Sequence, residues 1–113
     1  MEYFITFLKT RPLEGEAIMS LWNKEKDQHT DVNPCTQLIW ARIKHGKLEF
    51  HVHAHSSDAY KKLLMNLQEF IALQLYVAER LNIQPGTYHH IIDSCHIHTR
   101  EKEHVQALLP QLI

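Results

Sequence analysis

Cysteine and histidine are the residues of this chain best suited to chemistry at neutral pH. Cys35 follows Pro34, and a proline disfavours helix at the residue before it, so the thiol is placed where a loop enters a strand. A thiolate is the nucleophilic form of cysteine. With an ordinary pKa of about 8.5 it needs nearby positive charge or hydrogen-bond donors to be populated. Cys95 lies within a strand-like stretch and reads as structural. The two cysteines have neither zinc-finger nor redox spacing, so both are expected as free thiols. Ten histidines are the compositional outlier, and histidine is the common source of metal ligands and of proton transfer near neutrality. His51, His53 and His55 alternate, which on a strand places all three on one face. His89 and His90 are adjacent and point to opposite faces, so at most one of them can join a cluster.

The elements that must position these groups are legible in part. Glu2 to Leu8 alternates aromatic and β-branched residues and predicts a strand, which Pro12 and Gly15 break. Glu16 to Trp22 fits either a helical face or a strand. Asn23 to Asn33 is a polar connection. Leu38 to Ile43 and Leu48 to His55 predict antiparallel strands joined by a turn at Lys44 to Lys47. Ser56 or Ser57 is the expected cap of a long central helix, whose face is Leu63, Leu67, Phe70, Ile71, Gln74, Ala78 and Leu81. Pro85-Gly86 ends that region, Tyr88 to His98 predicts a strand, and Arg100 to Leu109 a closing helix with Arg100 to Glu103 as a solvated face. Trp22, Trp40, Phe70 and Tyr76 read as core or interface residues.

The bulk numbers narrow the function classes. At 113 residues and 44% hydrophobic content, the chain is expected to form one domain, residues 1–113, of class α/β (α+β). Twelve Lys and Arg stand against thirteen Asp and Glu, so no electrostatic footprint points to nucleic acid or to an acidic membrane. No apolar run approaches the roughly 20 residues of a membrane-spanning helix, and no signal peptide is evident, which makes the cytoplasm the expected location.

The order Trp22-Asn23, Pro34-Cys35, Gly46-Lys47-Leu48, Ser56 with Asp58, Asn66, Pro85-Gly86 and His96 resembles the thymidylate synthase and pyrimidine hydroxymethylase family. From Asn23 to His98 these residues fall at the family's intervals without insertion or deletion. The resemblance implies a sheet backed by the long helix, a strand at Glu16 to Trp22, and a homodimer packed sheet to sheet. It implies a pyrimidine nucleoside or nucleotide ligand and one-carbon transfer to C5, in which a cysteine thiolate adds to C6 of the ring. Cys35 takes the place of that nucleophile. Asn66 matches the base-reading amide, which donates and accepts at once. Ser56 matches a hydroxyl near phosphate and thiolate, His96 the imidazole on the sugar hydroxyl, and Asp58 a carboxylate near the pterin of a reduced folate. The family's C-terminal folate-covering segment has no counterpart in the matched stretch.

The chain also departs from the family. His55 stands where an arginine steadies the phosphate, Gly15 and Glu16 where the partner subunit lends two arginines, Thr36 at the histidine after the nucleophile, Ser94 at an aspartate and His98 at a tyrosine. His55 and His98 are therefore substrate-contact candidates of altered type. A histidine is a poor substitute for bidentate arginine, and ordinary thymidylate synthesis by this chain alone is not expected. The same geometry implies a second class, a metal-binding protein or metal-dependent hydrolase using Cys35 with His55, His96 and His98. A third is a non-catalytic dimeric remnant that binds another protein.

Overall fold

The computed structural model describes residues 1–13 and 15–112. In chain order the elements are α1 (Glu2–Thr10), β1 (Glu16–Ser20), α2 (Lys24–Asp27), β2 (Thr36–Lys44), β3 (Lys47–Asp58), α3 (Leu63–Leu81), β4 (Gln84–His96), a 3-10 turn (Thr99–Glu101) and α4 (Lys102–Leu112). The four strands form one sheet in the order β1-β2-β3-β4. The first two pairings are antiparallel, and β3 and β4 run parallel. A parallel pair needs a crossover, and α3 supplies it.

Segment 2–8 is a helix, contrary to the strand its alternation predicts. The residues it buries are Phe4, Ile5 and Leu8, spaced as one helical face. Phe4 meets Phe50 edge-on at 6.0 Å, and Arg80 of α3 pairs with Glu2 at 3.0 Å. Tertiary packing thus overrides the short alternating pattern. Helix α1 ends at Arg11, whose N–H reaches the Phe7 carbonyl, with Pro12 next in the chain.

The β2–β3 hairpin forms as expected. His45 and Gly46, both at positive φ, make the two-residue loop between the paired Lys44 and Lys47. Strand β3 alternates sharply: Leu48, Phe50, Val52 and Ala54 enter the core, and His51, His53 and His55 stay partly exposed. Strand β1 forms where the residues alone left the question open, with Ala17 buried against the core.

Helix α3 ends at Asn82 in the left-handed conformation (φ 57°), whose N–H reaches the Ala78 and Glu79 carbonyls. Its start corrects the expected serine cap, because β3 runs through Ser56 and Ser57 to Asp58. Asp58 then turns the chain by accepting from the N–H groups of Tyr60 and Lys61 at 3.0 and 3.1 Å. Pro85-Gly86 lies inside β4 rather than before it. A Cβ on Gly86 would sit 3.0 Å from the Leu48 carbonyl oxygen, so glycine permits this close approach.

Candidate active site

The site is assembled where the parallel strands β3 and β4 finish. Cys35 lies one residue before β2, and its carbonyl accepts from the His55 N–H at 2.9 Å, which ties the loop to the end of β3. The exposed thiol accepts from the Ser56 hydroxyl at 3.7 Å. Across from it, Lys62, Asn66, Glu69 and Phe70 share one face of the first turns of α3. On the third side, the end of β4 supplies His96, with His98 and Arg100 just beyond it.

A cavity of about 570 Å³ opens between these elements, lined by Cys35, Thr36, Ser56, Ser57, Asp58, Lys61, Lys62, Asn66, Glu69, Phe70, His96, His98 and Arg100. Of the residues singled out in the sequence, Cys35, Ser56, Asp58, Asn66, His96 and His98 come together here. His55 does not line the cavity. Its Nε2 is buried without a hydrogen-bond partner.

Electrostatics divide the cavity into parts. The Lys61 backbone N–H, and next to it that of Tyr60, hold the Asp58 carboxyl below its usual range against the opposing effect of burial. Its second oxygen lies 3.7 Å from Nε2 of His98, and the rings of His96 and His98 meet edge-on at 5.0 Å. Lys61 is ion-paired with Glu101, and that hydrogen bond holds the Glu101 carboxyl below its usual range. The pair fastens the 3-10 turn to the rim. Deeper in the sheet, burial lowers the pKa of His90, whose Nδ1 is 2.7 Å from the Tyr88 hydroxyl; burial also pushes that hydroxyl's pKa up to about 12.

The structure does not gather the metal set expected from Cys35, His55, His96 and His98. Among the described residues, the three donors that lie within 4.8 Å of one another are Glu49, His51 and His89, away from this cavity. Sequence reading also missed Lys61, Lys62, Phe70 and Arg100 as lining residues. The placement of Lys62 four residues before Asn66 is a usable signal, since that spacing shares a helical face. Arg100, expected on a solvated face, has no such signal.

A mixed sheet with a helix-backed cleft at the carboxyl ends of its parallel strands defines the α/β proteins that take small ligands at a sheet end. The family model for thymidylate synthase matches residues 1–112. Curated relatives include thymidylate synthase of Bacillus atrophaeus, 28% identical over 106 residues that make up 94% of this chain and 47% of the relative. Thymidylate synthase of Aster yellows witches'-broom phytoplasma is 26% identical, with the whole of this chain matched to 42% of the relative. The structure of thermostable thymidylate synthase A from Bacillus subtilis matches with a TM-score of 0.84 at 28% identity, over 94% of this chain and 38% of that one.

The chain belongs to the thymidylate synthase family, and the resemblance carried by residues 23–98 extends over nearly its full length. It spans less than half the length of these relatives.

Proposed function

We propose that the cavity binds a pyrimidine nucleoside or nucleotide, with the base between Cys35 and Asn66 and the sugar toward His96. One observation carries this reading: a thiol before β2, an amide on α3 and an imidazole on β4 open into one hollow. The volume of about 570 Å³ lies within the usual range for small-molecule sites. Asn66 can donate to and accept from a pyrimidine edge simultaneously. Cys35 is the candidate nucleophile: its sulfur adds to C6, the electron pair of the C5–C6 bond moves to C5, and C5 takes a one-carbon unit or a proton. Loss of the original proton from C5 with expulsion of the Cys35 thiolate then restores the C5–C6 double bond.

Asp58 and its surroundings are the place for a reduced folate, as in the family. Lys61, Lys62 and Arg100 are the cations this chain offers an anionic substituent, because the family's phosphate arginines are replaced. Two copies pack sheet to sheet through the face opposite α3, and the chain works in the cytoplasm.

The test is a thermal-shift series with uracil and cytosine nucleosides and their monophosphates, since a ligand that binds only the native state raises its apparent stability. A concentration-dependent rise is expected for wild type and its loss for Asn66→Ala. The Cys35→Ser protein should retain the rise while losing any ligand-induced bleaching of pyrimidine absorbance, which reports saturation of the C5–C6 bond. Equal shifts for wild type and Asn66→Ala refute the placement of the base.

A further inference from the structure

The sheet face opposite α3 carries a group that the proposed reaction does not use. Trp40, His51 and His89 are neighbours in one row across β2, β3 and β4, with Trp40 paired to His51 and His51 to His89. Glu49 lies two residues before His51 on the same face of β3. Its Oε1 is 2.9 Å from Nε2 of His51 and 3.7 Å from Nε2 of His89. Its Oε2 accepts from Nε of Arg42 at 2.9 Å.

We infer that Glu49, His51 and His89 form a binding site for a borderline divalent transition metal, with zinc as the representative ion. Two imidazoles and one carboxylate are a competent zinc donor set, and a fourth position remains for water. Tetrahedral coordination at zinc–donor distances near 2.1 Å requires donors about 3.4 Å apart, and the two observed separations from Oε1 bracket that figure. The hard cations magnesium and calcium, which prefer all-oxygen shells, do not suit it.

The neighbours hold the donors for this purpose. Arg42 occupies one carboxylate oxygen and leaves the other directed at the imidazoles, which sets monodentate ligation. Trp40 packs edge-on against the His51 ring at 4.6 Å and restricts its plane. The His51 and His89 rings lie 4.2 Å apart at 25°. His89, 45% exposed against 28% for His51, is the ring free to rotate its lone pair toward the ion. All three ligands come from one chain, so the site requires no occupied cavity around Cys35; it lies on the sheet face proposed for the contact between copies, and its fourth position is open to water in the single chain.

Equilibrium dialysis of the full chain against zinc, with metal counted by mass spectrometry and magnesium as control, tests the site. One zinc per chain and no magnesium are expected. His51→Ala and His89→Ala should each weaken zinc binding by at least roughly tenfold, in line with the sensitivity of metal sites to their ligand shells. His53→Ala is the control, because His53 shares the face but pairs with Asp93 at 3.0 Å; it should bind zinc like wild type. Circular dichroism of the His89→Ala protein separates loss of a ligand from loss of fold. The inference is overturned if wild type retains no zinc, if zinc survives in the His51→Ala, His89→Ala double variant, or if His53→Ala loses as much binding. A chain that binds zinc but no pyrimidine sinks the proposed function and leaves this site standing.

Discussion

Both carboxylate oxygens of Asp58 are engaged, one by two backbone N–H groups of the turn into α3 and the other near His98. Hydrogen bonds to the ionised form lower its pKa in the folded state. The unfolded chain therefore takes up the proton first, and stability is lost as pH falls through and below the ordinary aspartate value of 3.8. Urea midpoints at neutral and acid pH should differ less in Asp58→Asn than in wild type, since the amide oxygen keeps an acceptor without a titrating charge. An unchanged difference removes this role. The sequence marked Asp58 only through the family resemblance and assigned the turn to Ser56 or Ser57; it gave no sign that β3 continues through both serines, because small polar residues suit a strand end and a cap alike. Cys35, Asn66 and His96 were legible as separate residues.

Helix α3 was the most legible element, with its apolar spacing and Asn82 as its stop. The sequence could not show what Gln74 does on its buried face. From α3 its amide Nε2 donates to the carbonyls of Leu48, Gly86 and Thr87, at 2.9, 3.3 and 3.2 Å. These lie at the register shift between Leu48 and Phe50, where the β3–β4 ladder is interrupted. A single buried side chain thus satisfies carbonyls that the sheet leaves open. Gln74→Leu fills similar volume but removes the donor, so stability should fall by about 1–3 kcal/mol in urea unfolding. A loss within error would mean that these carbonyls find other partners. The parallel pairing of β3 with β4 was equally hidden, and with it the meeting of His51 and His89 from segments 38 residues apart in the chain. Seven residues of alternating character in segment 2–8 cannot distinguish a strand from a short helix whose face is fixed by Phe50 and α3.

At the scale of the whole molecule, the principal extents of 51 × 40 × 18 Å describe a thin slab: one sheet and one layer of helices. The radius of gyration, 16.9 Å, exceeds the roughly 13 Å of a compact domain of about this length. Helices α1 and α3 cover one face of the sheet; on the other, Ile18 of β1 is 60% exposed beside Trp40, and Ile91 of β4, paired with His53, is 46% exposed. Exposed apolar residues on an uncovered sheet face are candidates for an interaction surface. Sheet-to-sheet pairing of two copies would bury them across an isologous contact. Sedimentation velocity at micromolar concentration should therefore give a dimer for the wild-type chain and a monomer for the Ile18→Asp, Ile91→Asp double variant. Both side chains are exposed in the single chain, so the variant's circular dichroism should match wild type. A monomeric wild type, or a double variant that sediments as a dimer, removes this face as the contact between copies.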